Sequence, residues 1–270
     1  MRAFPVAGAP VEKAAWFFAE LCRPDAALEI DRAGRQALVG AVIDTCENAE
    51  DEARIEILGL DPALVDEALL REALERAEAI AAAGPRSRLA VGVPGPFATR
   101  LLEAAGFSPA WRGYEMERPA LPLPPVETPP GMRWLDADRS WAEPLDAALR
   151  PAMATVPGSF VPPFAVFAAR LEAQPIPTRI LAEGGRVAAF VRPEVQGDRG
   201  FIGILGRAPW ARGLGLGSLA LREGMRLLRE RGCGSIGLEV AAVNERGLRL
   251  YRAHGFEVHD THATWSKRLR

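Results

Sequence analysis

The sequence predicts an α+β protein of mixed α/β character, built as two tandem copies of one domain, each a sheet flanked by helices. Three observations predict it. Composition is that of an ordinary globular chain, with 49% hydrophobic and 25% charged residues over 270 positions, enough for two domains of common size. A proline-rich break, Pro119 to Gly131 (PALPLPPVETPPG), lies near the midpoint. Strand and helix signals then recur across that break at a nearly constant offset.

Taken in order, Ala27–Asp31, a turn at Arg32–Gly34 and Gln36–Ile43 read as a hairpin. In the second half, Arg179–Ala182, a turn at Glu183–Gly185 and Val187–Val191 read the same way. A strand over Arg54–Gly59, running into ILGLDP, parallels Gly203–Pro209, GILGRAP. A helix follows in each copy, Leu64–Ala82 and Leu216–Arg231, the latter stopped by Gly232. Short strands come next, Arg88–Val93 and Ser235–Ala241. LLEAAGF at 101–107 then parallels LYRAHGF at 250–256, and a final pair of strands is expected to close each copy. The proline-rich stretch favours extended backbone and cannot continue a helix, so it reads as a semi-rigid linker. This gives domains over 1–120 and 132–270 with a linker over 121–131.

Several classes are excluded or disfavoured. No apolar run approaches the ~18 residues of a membrane span. The N-terminus, MRAFPVAGAPVEKAAWFF, lacks a basic segment feeding an unbroken apolar core and does not read as a signal peptide. Cys22, Cys46 and Cys233 are scattered and odd in number, which suits reduced thiols, a cytoplasmic location and no zinc site. Residues 1–125 carry 13 Lys and Arg against 20 Asp and Glu, and residues 126–270 carry 20 against 15. The basic second half suits an anionic small ligand and falls short of a nucleic-acid footprint. Arg222, Arg226, Arg229 and Arg231 read as the solvated face of a helix.

The most informative segment is Pro209-Trp-Ala-Arg-Gly-Leu-Gly-Leu-Gly217, between the strand Phe201–Leu205 and an amphipathic helix with Leu216, Leu219, Met225 and Leu228 along one side. Gly213, Gly215 and Gly217 let the backbone approach a ligand without Cβ interference. Their N–H groups and the positive helix N-terminus form a phosphate site, to which Arg212 adds a charged donor. A Walker A loop fails, because Ser218 and Leu219 follow Gly217 where Lys and Ser or Thr are needed. A dinucleotide fingerprint needs Gly or Ala where Ser218 stands.

What remains is Arg-x-x-Gly-x-Gly at Arg212, Gly215 and Gly217, which resembles the pyrophosphate loop of the GCN5-related N-acetyltransferase (GNAT) family. LEVAAVNERGLRLYRAHGF at 238–256 resembles that family's next strand and helix, with Asn244 and Tyr251 in the expected places. The resemblance covers 132–270 well. It implies two tandem acyl-CoA N-acyltransferase domains, each a mixed, mostly antiparallel sheet flanked by helices. It also implies an enzyme that uses acetyl-CoA as co-substrate and needs no metal. The cofactor contacts it implies are Leu205, Gly206 and Arg207 through their backbone, Arg212, Gly213, Leu214, Gly215, Leu216 and Gly217 around the phosphates, Asn244 on the pantetheine arm, and Tyr251. Locally, Asn244 is also a sound N-cap and Gly255 a sound helix stop. Tyr251 is implied as the acid that protonates the departing thiolate, beside its alternative as a core aromatic.

The family reaction is direct transfer to an amine, which must be neutral to attack. At pH 7 an amine of pKa ~10.4 is neutral in roughly one molecule in several thousand, and an α-amine near ~7.8 in roughly one in ten. A general base therefore matters more for the first kind. Glu239 is the candidate, twelve residues before Tyr251, the spacing found in the family's ribosomal-protein alanine acetyltransferases. It could equally pair with an arginine. His254 sits at a helix C-terminus, which it would complete. By resemblance His259, Asp260 and His262 join the last two strands beside the acceptor; alternation along a strand puts 259 and 262 on opposite faces, against a paired metal site.

The first copy departs where the chemistry would lie. Leu64-Val-Asp-Glu-Ala-Leu-Leu replaces the glycine turn, Gly95 replaces Asn244 and Leu102 replaces Tyr251. It reads as a degenerate copy. The expected acceptor is a primary amine of a small molecule or a peptide N-terminus, with no nucleic acid or membrane partner, in a monomer or homodimer. Mycothiol synthase shares the two-copy plan and is an alternative within the family. A non-catalytic acyl-CoA-binding or regulatory protein is the alternative outside it.

Overall fold

The computed structural model describes residues 27–44, 52–60, 63–64, 66–84, 86–93, 96–122, 126–154, 156–157, 159, 161–162 and 164–269. The first half supplies β1 (Ala27–Arg32), β2 (Arg35–Asp44), β3 (Glu52–Leu60), α1 (Glu67–Ala82), β4 (Arg88–Val93), α2 (Pro96–Ala104) and β5 (Ser108–Pro119). The second supplies β6 (Arg133–Asp136), α3 (Ala142–Met153), α4 (Phe164–Ala173), β7 (Arg179–Glu183), β8 (Arg186–Gln196), β9 (Arg199–Arg207), α5 (Leu216–Glu230), β10 (Ser235–Ala241), α6 (Glu245–Ala253) and β11 (Glu257–Arg268).

Local chemistry explains the opening hairpins. Ala33 and Gly34 link β1 to β2 at φ 51° and 73°, and Gly184 and Gly185 link β7 to β8 at 54° and 79°. Two successive positive φ values make the hairpin turn whose twist matches its strands. Glycine adopts this freely, whereas Ala33 carries a Cβ there. In both hairpins the register slips at the same rung, between Ile30 and Asp31 and between Leu181 and Ala182.

The repeat continues beyond the hairpins. β3 pairs in parallel with β4 from Glu52↔Arg88 to Ile55↔Val91, and β9 with β10 from Arg199↔Ser235 to Ile202↔Leu238. Two helix ends match as well. Phe107 N–H bonds Leu102 O at 2.9 Å past Gly106, and Phe256 N–H bonds Tyr251 O at 3.1 Å past Gly255. Both glycines have positive φ, as this type of helix end requires. The duplication read in the sequence is thus present in turn, register and cap.

The chain divides into two compact units that are not its two halves. One holds the described residues up to Arg112 together with those from His262 onward; the other is Gly113–Thr261. In the first, strand order is β1-β2-β3-β4-β11-β5, and β4 pairs antiparallel with the end of β11, from Arg88↔Arg268 to Val93↔Ala263. In the second, order is β5-β10-β9-β8-β7-β6, and β10 pairs antiparallel with the end of β5, from Ser235↔Pro119 to Ala241↔Gly113. Each unit is therefore finished by a strand from the other half of the sequence. Trp265 is buried in the core of the first unit, and Lys267 Nζ bonds Glu78 on α1 at 2.7 Å. Met116 is fully buried in the core of the second.

The expected closing pair of strands is one long strand in each copy, β5 and β11. Residues 257–268, EVHDTHATWSKR, contain no glycine or proline, so nothing breaks the strand into two. The proline-rich stretch begins in order: Pro119 still pairs with Ser235, and Ala120 N–H bonds Gly234 O at 3.0 Å. Residues 123–125 within it lie outside the described residues, as do Val65, Gly95, Cys22 and Cys46. Cys233 is buried and free. Within the second unit, α5 and α6 cover one sheet face through Leu219, Met225, Leu228 and Tyr251, while α3 and α4 cover the other through Leu145, Leu149 and Phe167. Among the described residues no helix is long and apolar enough to cross a membrane.

Candidate functional site

The site starts where β9 and β10 part. Their parallel ladder has its last pair at Ile202 and Leu238. Beyond it β9 runs on to Arg207 bonded to β8, and β10 runs on to Ala241 bonded to β5. A register shift between Arg192 and Pro193 accompanies the fork, leaving Gly203 as the extra residue of β9. Proline has no N–H to give to the ladder, which accounts for a bulge at this position. The inner edge of Gly203–Arg207 is thereby left with backbone groups that bond no neighbouring strand. Of the residues named from the sequence, Leu205, Gly206 and Arg207 lie on this edge. Leu205 packs against the core, and Gly206 has to be glycine because a Cβ there would stand 2.3 Å from the Phe190 ring.

The chain then makes a short 3-10 turn over Pro209–Ala211 and enters the glycine turn. Arg212, Gly213, Leu214 and Gly215 are exposed, and Leu216 is buried as the first residue of α5. Gly213 and Gly215 hold φ values of 88° and 72°, so the turn geometry itself selects glycine at both. Gly217 differs. Its φ is not positive, and a Cβ there would meet only Leu250 Cδ2 at 3.7 Å, an ordinary contact.

Three helix starts can be compared. Asp66 caps α1, its Oδ1 accepting from Leu69 N–H at 2.7 Å with Glu67 in the first turn. Asn244 caps α6, its Oδ1 accepting from Gly247 N–H at 2.9 Å. Gly215 gives α5 no side-chain cap, and no acid stands in its first turn. The first N–H groups of a helix have no partner inside it, so those of α5 face outward with the positive end of its dipole. In the first copy the Asp66 carboxylate already occupies that place.

Asn244, Tyr251 and His254 all come from or border α6. The Oδ1 of Asn244 is engaged in the cap, and the residue also lines a cleft of about 330 Å³ with Val156, Pro157, Glu245, Arg246 and Arg249. Tyr251 is 9% exposed in the core, edge-on to Phe256 at 6.1 Å. Burial pushes its phenol up to about 12, so it holds its proton. His254 completes the helix end as expected, Nδ1 bonding Leu250 O at 2.9 Å. A carbonyl only accepts, so Nδ1 carries a proton; in the neutral ring Nε2 accepts from the Ser218 hydroxyl at 2.8 Å. This bond ties the start of α5 to the end of α6.

Two further residues were not found from sequence. Arg246 lies in the first turn of α6 and within electrostatic reach of Arg207. Burial first, then the like charges of Arg246 and Arg212, push the Arg207 guanidinium below its ordinary value. Glu223 on α5 is nearly inaccessible and accepts from Arg179 Nε at 3.1 Å and Arg226 Nε at 2.8 Å. Arg226 on the expected solvated face is thus half-buried and ion-paired, also to Glu230, and Arg222 is half-buried too; Arg229 and Arg231 are exposed.

Glu239 is the first residue of β10 past the fork and lies directly opposite Glu115 of β5. The two histidines on the acceptor side are not in a loop between strands. His259 and His262 lie in β11, His259 in the second unit and His262 in the first, where its ring meets Trp111 edge-on at 6.0 Å. The continuous strand accounts for this separation. Among the described residues no group of three or more His, Cys, Asp and Glu side chains is placed to hold a metal ion.

Residues 146–256 match the model of the Acetyltransferase (GNAT) family. A mycothiol acetyltransferase of Stackebrandtia nassauensis is 38% identical over 89 residues, which are 32% of this chain and 29% of that protein. The matched segment thus spans less than a third of that relative's length. A tandem GNAT protein from the clavulanic acid biosynthesis pathway superposes with a TM-score of 0.71 over 99% of this chain and 91% of its own, at 15% identity. A GCN5-related N-acetyltransferase from Sphaerobacter thermophilus gives 0.66 over 97% and 86%, at 19% identity. These two likenesses establish the fold, and the family match falls on residues 146–256, the segment that holds the fork, the glycine turn and α6.

Proposed function

We propose that the protein is an N-acetyltransferase that moves an acetyl group from acetyl-CoA directly to a primary amine of a small molecule or a peptide N-terminus. In this reading residues 132–270 are the catalytic copy, 121–131 the linker and 1–120 a degenerate copy kept for structure, acting in the cytoplasm. The observation that carries it is the start of α5: an uncapped helix N-terminus with no acid in its first turn, preceded by Arg212 and placed beside the fork of β9 and β10. That donor set suits a pyrophosphate, and Gly217 leaves room for one where the fold has no need of glycine.

Bound acetyl-CoA supplies the activated thioester. The N–H groups of Gly213–Gly217 and the Arg212 guanidinium hold phosphate oxygens. The free edge of Leu205–Arg207 bonds the pantetheine arm and offers an N–H donor to the thioester carbonyl, where negative charge develops. The Asn244 amide N–H groups reach a carbonyl of the same arm. Glu239 takes the proton of the attacking amine, and the Tyr251 phenol, neutral well above pH 7, gives its proton to the departing sulfur. His259 or His262 as an acceptor contact remains part of this reading.

The test is Gly215→Asp. Nothing lies within 4 Å of a Cβ at Gly215; φ 72° strains any side chain there by about 1–2 kcal/mol, though aspartate tolerates this region better than most residues. The variant thus places a carboxylate in the phosphate site, and its cooperative thermal unfolding is recorded alongside. Loss of acetyl-CoA binding by calorimetry supports the assignment, and retained micromolar affinity contradicts it. The 38% identity to a mycothiol acetyltransferase favours, as a second reading, an acceptor of that kind. A non-catalytic acyl-CoA-binding protein would bind acetyl-CoA normally after Tyr251→Phe or Glu239→Gln and acetylate no amine in any form.

A further inference from the structure

Arg207 ends β9, Arg212 stands at the mouth of the glycine turn and Arg246 lies in the first turn of α6, so three separate segments bring three guanidiniums into electrostatic reach. Several other arginines of the second unit are matched by acids: Arg179 with Glu223, Arg199 with Glu115, Arg226 with Glu223 and Arg249 with Glu245. Among the described residues none of the three clustered arginines has a carboxylate partner, and Glu245 beside Arg246 is turned to Arg249. Unneutralised like charge at the rim of a cleft is the footprint of an anionic ligand. Arg246 also lines the cleft of about 330 Å³ together with Asn244 and the Glu245–Arg249 pair, which joins the cluster to the groove already described.

The charges can be counted, given the reading of the glycine turn as an acetyl-CoA site. A pyrophosphate diester carries two negative charges; a helix N-terminus supplies about half a positive charge and Arg212 one more. The remaining phosphate of acetyl-CoA is a monoester on the ribose, with a charge of about −1.5 to −2 at neutral pH. Arg207 and Arg246 supply the two charges that match it. We propose that Arg207 and Arg246 form a second anion site that takes the ribose phosphomonoester and makes the protein select acetyl-CoA over its dephospho form. Arg212 and the turn then hold the part common to both.

The experiment is calorimetric titration of the full chain with acetyl-CoA and with acetyl-dephospho-CoA. The wild type binds acetyl-CoA about tenfold or more tightly, the size expected of charge-assisted bonds to one phosphate. Arg246→Gln lowers affinity for acetyl-CoA and leaves that for the dephospho form unchanged, while Arg212→Gln weakens both alike. Thermal unfolding of the ligand-free Arg246→Gln variant occurs no lower than in the wild type, since repulsion is relieved. Equal affinity of the wild type for both ligands overturns the proposal, as does an equal loss for both in Arg246→Gln. Binding of neither ligand by the wild type contradicts the reading of the glycine turn itself, which is a separate failure.

Discussion

Gly217 and Leu250 face each other across the start of α5 with room to spare: a Cβ on Gly217 would lie 3.7 Å from Leu250 Cδ2. Glycine in a helix costs about 0.5–1 kcal/mol relative to alanine, and here neither φ nor packing asks for it. The prediction is that Gly217→Ala raises the free energy of unfolding by about that amount while weakening acetyl-CoA binding, because the methyl enters the space beside the phosphates. Chemical denaturation and calorimetry on the same variant check both. Unchanged affinity would mean that the ligand does not approach Gly217.

Tyr251 is held neutral by burial, its phenol pushed up to about 12. An acid must carry its proton to act, so raising its pKa extends its working range upward. Turnover therefore shows no alkaline loss attributable to Tyr251 between pH 7 and about pH 10, where an ordinary phenol titrates. Tyr251→Phe lowers kcat by about 100-fold or more and leaves the acetyl-CoA Kd unchanged. Steady-state kinetics with binding data separate this from a purely structural role, which would move both.

Glu223 supports α5 from within. Burial alone would raise its pKa, but the bonds and charges of Arg226 and then Arg179 outweigh it and hold the carboxyl below its ordinary value. A depressed folded value means that its stabilisation is complete above the unfolded value of about 4.3 and is lost as pH falls through the folded one. Glu223→Gln should lower the free energy of unfolding at pH 7 by about 2–3 kcal/mol, toward the low end for a buried pair because Arg226 is partly exposed. Denaturation as a function of pH should show a shallower acid slope in the variant.

These cases show how far the sequence could be read. The glycines at 184, 185, 213, 215 and 255 carry positive φ and are visible as punctuation, so the hairpin, the turn and the helix end were legible. Exchange of β5 and β11 between the units was not, because Ser108–Pro119 and Glu257–Arg268 carry strand character without naming their partner. The same gap misplaced His259 and His262 in a connecting loop. Arg246 leaves no mark among so many arginines, and Glu223 carries no sequence signal because its partner Arg179 comes from a distant strand.

The strand exchange predicts how the chain can be cut. A fragment starting at residue 132 lacks Gly113–Pro119, which pair with the whole of β10, and exposes that edge beside Glu239. Such a fragment should aggregate or lose its cooperative unfolding transition. Cooperative unfolding of the 132–270 fragment at full-length stability would contradict the assigned pairing.

In the first copy, Ala33 occupies the place of Gly184 at φ 51°. Relieving the Cβ there, Ala33→Gly should stabilise the first unit by about 1 kcal/mol. An unchanged or lower unfolding midpoint would argue against the two-residue turn.

The central claim is one phosphate-binding helix start per chain, at Gly215 of α5 and not at Asp66 of α1. The most direct measurement is a calorimetric titration of the purified chain with acetyl-CoA, read for stoichiometry. One site per chain, lost in Gly215→Asp, is the result predicted. Two sites would mean that the Asp66 cap does not close the first copy to the cofactor, and no binding would contradict the account of the site as a whole.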